Sequence, residues 1–248
     1  MNILLTNDDG VFAPGIKELG SQLLEKGYNV TIVAPEEQNS GKSHAITLMK
    51  KLYVKKVKIE GLSCDAYSVS GTPADCVRTA VELFSKEYDY CFSGCNLGYN
   101  AGMDILYSGT VSAAIEANVF NIPSIAVSAE YNRENTNYKT ASKVAIDIFE
   151  KVKDTLKENI VLSVNAPKLD YENLKGVAVC KIGGSVMDKY TSYETENGFE
   201  LELQGRNKCK HLEYTDRYYL EDGYATVTPL LYDLTSDELL NSLKESMK

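Results

Sequence analysis

No run of this chain is long enough to read as a transmembrane helix, which takes about 20 consecutive apolar residues. The N-terminus lacks the pattern of a secretory leader, because no basic segment precedes an apolar core and cleavage site, and apolar residues begin at once with Ile3-Leu4-Leu5. A cytoplasmic protein without membrane association is the expectation. Positive charge is in deficit, with 26 Lys and Arg against 35 Asp and Glu and a net charge of −9. That excludes the basic footprint of a nucleic-acid-binding surface. It leaves nucleotides open as substrates, since a bound cation reverses the local field. Histidine occurs only as His44 and His211, and none of the six cysteines (Cys64, Cys76, Cys91, Cys95, Cys180 and Cys209) forms a C-x-x-C pair. A structural zinc site and a disulfide framework are therefore not expected, and the cysteines read as free thiols, mostly buried. Trp is also absent, which excludes nothing. There is no internal repeat, low-complexity run or linker. At 44% hydrophobic and 25% charged, the composition is that of an ordinary globular protein of this length.

What is present alternates between strand and helix signals. Asn2–Thr6 reads as a strand, and Pro14–Glu25 as a helix with Pro at its first position and Ile16, Leu19 and Leu23 on one face. Asn29–Ala34 is a buried strand stopped by Pro35. Thr72-Pro73 opens a helix to about Phe84, with Thr72 as N-cap. Tyr88–Ser93 is a strand, Gly109–Val119 a small-residue helix, Pro123–Ser128 a strand, Lys139–Lys157 a helix and Ile160–Asn165 a strand. Such alternation predicts an α/β fold whose mainly parallel sheet is covered on both faces. The pattern changes near Gly176. Thr191–Leu203 and Leu212–Leu220 are Tyr-rich and alternating, with turn residues Asn197-Gly198 and Asp222-Gly223, and Ser236–Met247 is an amphipathic helix. One domain over 1–248 is expected. Its core, with a complete sheet, would span about 1–182, and a β-hairpin and helical tail extension about 183–248.

Four segments have the character of a site. Thr6-Asn7-Asp8-Asp9-Gly10 places two adjacent carboxylates at the end of the first strand, where open α/β sheets bind ligands. Paired carboxylates repel each other but suit a hard cation such as Mg²⁺. Asp-Gly is also a turn signal, and the dipeptide alone fits either reading. Asn39-Ser40-Gly41-Lys42-Ser43-His44 ends like a Walker A loop, yet Glu36 stands where that motif needs glycine. By itself it reads as an ordinary polar loop. Ser93–Gly102 combines three glycines with Asn96 and Asn100 and contains no G-x-G-x-x-G, so dinucleotide binding has little support. Asn offers a carbonyl oxygen to a metal or an amide donor to phosphate. Tyr107-Ser108-Gly109-Thr110 opens a helix, where free N–H groups and hydroxyls suit an anion. Capping accounts for one of those hydroxyls, but not for the cluster.

In order, these segments resemble the SurE family of survival-protein-E phosphatases or nucleotidases. The likeness runs through Ile-Leu-Leu-Thr-Asn-Asp-Asp-Gly with Ala13-Pro14-Gly15-Ile16, Val33–Pro35, Ser40-Gly41 with Ile46-Thr47-Leu48, and Gly71–Val77. It continues through Ser93-Gly94-Cys95-Asn96 with Gly98 and Asn100, and Tyr107–Ala114, and is loose beyond Gly176 apart from Val227-Thr228-Pro229-Leu230. Each motif is weak alone, and their order is not.

The resemblance implies a Rossmann-like three-layer core. It implies a divalent-metal-dependent phosphomonoesterase acting on nucleoside 5′-monophosphates, with 3′-monophosphates a further candidate. The metal ligands carry over onto Asp8, Asp9, Ser40 and Asn96. Ser40 is preferred to Asn39 because its distance to Ile46-Thr47-Leu48 fits the family pattern. One divalent ion per subunit is expected, Mg²⁺ or Mn²⁺ given oxygen ligands. Asp8, Asp9 and Asn96 would be catalytic, with Asn7, Gly41, Ser43, Asn100, Ser108, Gly109 and Thr110 holding phosphate or substrate. Asp8 would either align an attacking water or attack in line itself. Gly71–Cys76 is a family signature and reads mainly as a helix start. The family also implies a homodimer or homotetramer through the C-terminal extension. The rivals are a haloacid-dehalogenase-like phosphatase, which normally needs Asp-x-Asp rather than adjacent aspartates, a non-catalytic nucleotide sensor, and an interaction module built on the Tyr-rich tail.

Overall fold

The computed structural model describes residues 1–84, 88–132, 134–184, 190–204 and 211–247. Cys209 lies outside them. In β1 (Asn2–Thr6), three consecutive apolar residues make a strand buried on both sides. Ile3 and Leu5 join one cluster of core residues and Leu4 the opposite one. Helix α1 (Pro14–Glu25) starts at Pro14, where a missing N–H costs nothing, and buries Ile16, Leu19 and Leu23. There follow β2 (Asn29–Pro35), β3 (Val54–Val57), β4 (Asp65–Val69), α2 (Pro73–Phe84) and β5 (Tyr90–Leu97). A short 3₁₀ helix, Gly102–Tyr107, leads into α3 (Gly109–Val119), β6 (Ser124–Ala129), α4 (Tyr138–Val152), β7 (Val161–Ala166) and β8 (Val177–Val179). The chain continues with β9 (Tyr190–Thr195), β10 (Gly198–Leu203), α5 (Asp216–Glu221), β11 (Ala225–Leu230) and α6 (Asp237–Ser246).

Among the described residues, nine strands form one sheet in the order β3-β4-β2-β1-β5-β6-β7-β11-β8. Its pairs are parallel except β3 with β4 and β11 with β7. Helices α1 and α4 pack together on one face, around Ile3, Leu5 and Phe149. Helices α2 and α3 pack on the other, around Leu4, Val77 and Ala113. This is the expected three-layer α/β arrangement, with β9 and β10 as the expected antiparallel hairpin. Strand β1 has β2 on one side and β5 on the other. The loops leaving it diverge there, and such a crevice beyond the strand ends is where this architecture holds ligands.

The structure corrects the chain's second half. The sheet is not complete at residue 182, because β11 sits between β7 and β8 and buries Ala225, Val227 and Leu230. Its Thr-Val-Thr-Pro-Leu sequence is short and carries Pro229 one residue before its end, so it reads as a strand end rather than an interior strand. Leu212–Leu220 is not an alternating segment. Leu212 and Tyr214 are exposed, and the chain enters α5 after Thr215, burying Asp216, Arg217 and Leu220 at helical spacing. Helix α4 ends at Val152 and gives way to a 3₁₀ turn, short of Lys157. Strand β5 runs on through Asn96 to Leu97 with a register shift against β6 after Ser93, so Asn96 belongs to a strand end and not to a glycine-rich loop.

Candidate active site

The turn after β1 is built by Asn7. Its Nδ2 donates to the Gly10 carbonyl at 2.8 Å, and its Oδ1 accepts the Gly10 N–H at 3.2 Å. Gly10 has φ +105°, a conformation glycine adopts without strain. Asn7 is fully buried. Its amide is spent on shaping the loop that presents Asp8 and Asp9.

Asp8 is 4% exposed, and its Oδ1 accepts a 2.5 Å hydrogen bond from the Thr110 hydroxyl. Burial pushes its carboxyl up from 3.8 to about 6; the Thr110 hydroxyl opposes the rise and the Asp9 charge adds to it. Asp9 Oδ2 accepts the Leu97 N–H at 2.9 Å, and burial raises this carboxyl too. Among the described residues no Lys or Arg pairs with either group. Two desolvated carboxylates without a cation are the opposite of a stabilising arrangement.

The N-terminus of α3 sits directly against Asp8. A Cβ on Gly109 would lie 2.9 Å from Asp8 Cβ and 3.1 Å from its Oδ2, so only glycine permits this approach. Ser108 caps the helix by accepting the Val111 N–H at 3.0 Å. Its capping role accounts for its oxygen, while Thr110 spends its hydroxyl on Asp8. First-turn N–H groups and the positive helix end thus face the carboxylate pair.

Asn96 comes alongside at the end of β5. Its Nδ2 donates to the Gly98 carbonyl at 2.8 Å, which turns Oδ1 away as the atom left for a cation. Asn100 is fixed twice: its N–H donates to Asn165 Oδ1 at 2.8 Å, and its Nδ2 to Ser128 Oγ at 2.9 Å. The loop after β2 completes the group. The Asn39 N–H donates to the Asp8 carbonyl at 2.7 Å, tying this loop to the first turn. Gln38 Nε2 donates both to Ser40 Oγ at 3.0 Å and to Asp9 Oδ1 at 3.4 Å. A hydroxyl and a carboxylate oxygen therefore converge on one electropositive group, as two ligands of a cation would.

Not every residue read from sequence sits as expected. Ser43 donates its hydroxyl to the Leu106 carbonyl at 2.6 Å, and its N–H to the Tyr107 carbonyl at 3.1 Å. Ser43 thus clasps the loop to the 3₁₀ segment. Gly41 is exposed at φ +72° with open space around it. Sequence reasoning missed Gln38, Ser128 and Asn165, which only folding brings near. The signature at Gly71 is indeed a helix start. Thr72 Oγ1 accepts the Asp75 N–H at 3.1 Å while Asp75 Oδ2 accepts the Thr72 N–H at 3.0 Å, a reciprocal cap. Asp75 also accepts from the Thr47 N–H and hydroxyl, holding the far end of the same loop.

Among the described residues no group of three or more His, Cys, Asp and Glu side chains is placed to hold a metal ion, so a cation here would draw on two carboxylates and neutral oxygens. Asp8, Asp9, Asn96 and Ser40 offer that set, which suits a hard divalent ion that retains waters.

The family model described as Survival protein SurE matches residues 3–189. The chain is 44% identical over 251 residues to the 5′-nucleotidase SurE of Clostridium botulinum strain Alaska E43, covering 99% of each. It is 44% identical over 248 residues to that of Clostridium beijerinckii, covering 98% of each. The crystal structure of the SurE protein from Aquifex aeolicus superposes with a TM-score of 0.85 at 37% identity, covering 100% of both chains.

Proposed function

The chain belongs to the SurE family, and on that premise we propose that it is a divalent-metal-dependent 5′-nucleotidase that hydrolyses nucleoside 5′-monophosphates to nucleoside and phosphate. One observation carries the reading: Asp8, raised by burial and unpaired by any described Lys or Arg, lies under the N-terminus of α3 beside Asp9 and the free face of Asn96. Asp8, Asp9, Ser40 and Asn96 would hold one Mg²⁺ or Mn²⁺. When bound, that ion supplies Lewis-acid polarisation of the phosphoryl group and a more acidic water.

The protein's own groups do the rest. Thr110 fixes one oxygen of Asp8, so the other is aimed by the chain rather than free to rotate. Asp8 aligns the attacking water and takes its proton, with the Thr110 hydroxyl holding the carboxylate in one orientation. The helix end at Ser108, Gly109 and Thr110, with the second Nδ2 hydrogen of Asn100, receives the charge that grows on the phosphoryl oxygens. Nothing here reads a base edge, so the reading implies broad tolerance of the nucleobase.

Two further parts of the proposal concern setting. The chain assembles as a homodimer or homotetramer through its C-terminal extension, supported by Phe199, Leu201 and Leu203 exposed along β10 and by α6, which buries no residue in its own chain. It works in the cytoplasm, supported by Cys64, Cys76, Cys91, Cys95 and Cys180 all being free thiols. No helix among the described residues is long and apolar enough to cross a membrane. The test is phosphate release from a panel of nucleoside 5′- and 3′-monophosphates and an aryl phosphate, in EDTA and with Mg²⁺, Mn²⁺, Co²⁺ or Zn²⁺. Single-turnover hydrolysis in ¹⁸O water separates water attack from an aspartyl intermediate.

A further inference from the structure

We propose that Asp216 and Arg217, on the short helix α5, are positioning residues that hold the phosphate-binding segment 100–110 in register; the proposal rests on the phosphatase reading above. Neither touches the carboxylate centre. Both are nearly fully buried, at 2% and 6% exposure, in a part of the chain that sequence patterning assigns to a surface extension.

Their contacts are specific. Asp216 Oδ2 accepts the Gly102 N–H at 2.7 Å, and its Oδ1 accepts the N–H of Gly183 at 2.9 Å and of Arg217 at 2.7 Å. Arg217 Nη2 donates to the Ala101 carbonyl at 2.9 Å and to Asp104 Oδ2 at 2.6 Å, forming a buried ion pair. Gly102 has φ +63°, and a Cβ there would lie 2.3 Å from the Gly184 carbonyl oxygen, so the two backbones press together. Two consecutive peptide groups, 101–102 and 102–103, are thus held from α5 and from Gly184.

What this segment connects gives the contacts their meaning. At one end stands Asn100, pinned by Asn165 and Ser128. At the other, the 3₁₀ helix delivers Ser108, Gly109 and Thr110 to Asp8. Midway, the carbonyls of Leu106 and Tyr107 clasp Ser43, in the loop that carries Ser40. A segment of this length without regular strand or long helix has little rigidity of its own. The buried carboxylate and guanidinium supply it, because buried charged groups hold their partners in one geometry or lose their compensation altogether.

Asp216→Asn replaces one acceptor oxygen with a donor and so turns at least one N–H, that of Gly102 in the less costly orientation, against another donor. Arg217→Lys keeps the charge but shortens the side chain, so that one nitrogen no longer reaches both Asp104 and the Ala101 carbonyl as Nη2 does. Each variant should raise KM for a nucleoside monophosphate and Ki for inorganic phosphate by about tenfold. Mn²⁺ affinity, measured by direct titration, should shift less than about threefold, since Asp9 and Asn96 are held from outside the segment and Asp8, which meets it through Thr110, stays in the turn shaped by Asn7. Amide exchange across 101–110 should quicken while that of β1 and β5 does not. Leu220→Ala, which empties a buried position on the same helix, serves as the control for mere destabilisation and should leave KM and Ki unchanged. Unchanged KM, Ki and exchange in both test variants overturns the proposal. So does an equal rise in Leu220→Ala at equal loss of melting temperature. If the wild-type protein hydrolyses no phosphate ester, the function proposed above fails, and phosphate affinity with amide exchange still decides this one.

Discussion

Replacing Asp8 with Asn probes the centre most sharply, because the same substitution should raise stability and abolish activity. In the folded chain Asp8 titrates at about 6 instead of 3.8, with burial as the leading cause. At 1.36 kcal/mol per pH unit, ionising it costs about 3 kcal/mol more in the folded than in the unfolded chain. The sign follows from the direction. Below 3.8 both states keep the proton and there is no cost. As pH rises the unfolded chain loses its proton first, so metal-free stability falls until about pH 6 and then levels. The substituted amide is neutral at every pH and escapes that loss. In EDTA at pH 8, Asp8→Asn should melt roughly 6–12 °C higher than wild type, taking about 2–4 °C per kcal/mol for a chain this size. At pH 4 the difference should nearly vanish. Adding Mn²⁺ should raise the wild-type melting temperature by mass action and the variant's far less. Turnover should fall at least about a hundredfold. The assay is a pair of thermal melts at each pH with and without Mn²⁺, plus phosphate release. A variant with near wild-type turnover, or a melting difference independent of pH, would refute the reasoning.

Gly109→Ala should lose at least about tenfold in kcat/KM and about 1–3 kcal/mol in stability, since its Cβ would strike Asp8 Cβ at 2.9 Å; denaturant melts and steady-state kinetics check this. Exhaustive dialysis against EDTA should abolish phosphate release and Mg²⁺ or Mn²⁺ should restore it; full activity without metal rejects the cation centre. Rates across the four common nucleoside monophosphates should stay within about a thousandfold, and a wider spread would point to a base-reading element. Truncation after residue 233 removes α6, which buries nothing in its own chain, and should cost assembly but not folding, as sedimentation shows. Truncation after residue 182 removes β11 from the sheet and should leave no soluble protein.

Most of the alternation of apolar strands and amphipathic helices from Asn2 to Asn165 was legible in the chain alone, because such elements declare their period locally, but β3 and β4 were not read, β3 being short, Lys-rich and only partly buried. So were the carboxylates after β1 and the helix opening at Ser108, since turn, cap and charge are properties of a few adjacent residues. Their ordered spacing also carried the family. Position in three dimensions was not legible. Asn7 and Ser43 have the right chemistry for phosphate, and only the folded backbone shows their polar atoms spent on Gly10 and Leu106. Gln38, Asn165 and Ser128 look like ordinary surface polar residues until parallel pairing brings them to the same strand ends. Asp216 and Arg217 sit more than a hundred residues from the segment they hold, and α5 is too short to show a period. Local sequence sets which groups are present and the turns that aim them. Burial, which raises Asp8 and makes the Asp216 and Arg217 contacts decisive, exists only once distant strands and helices close around them.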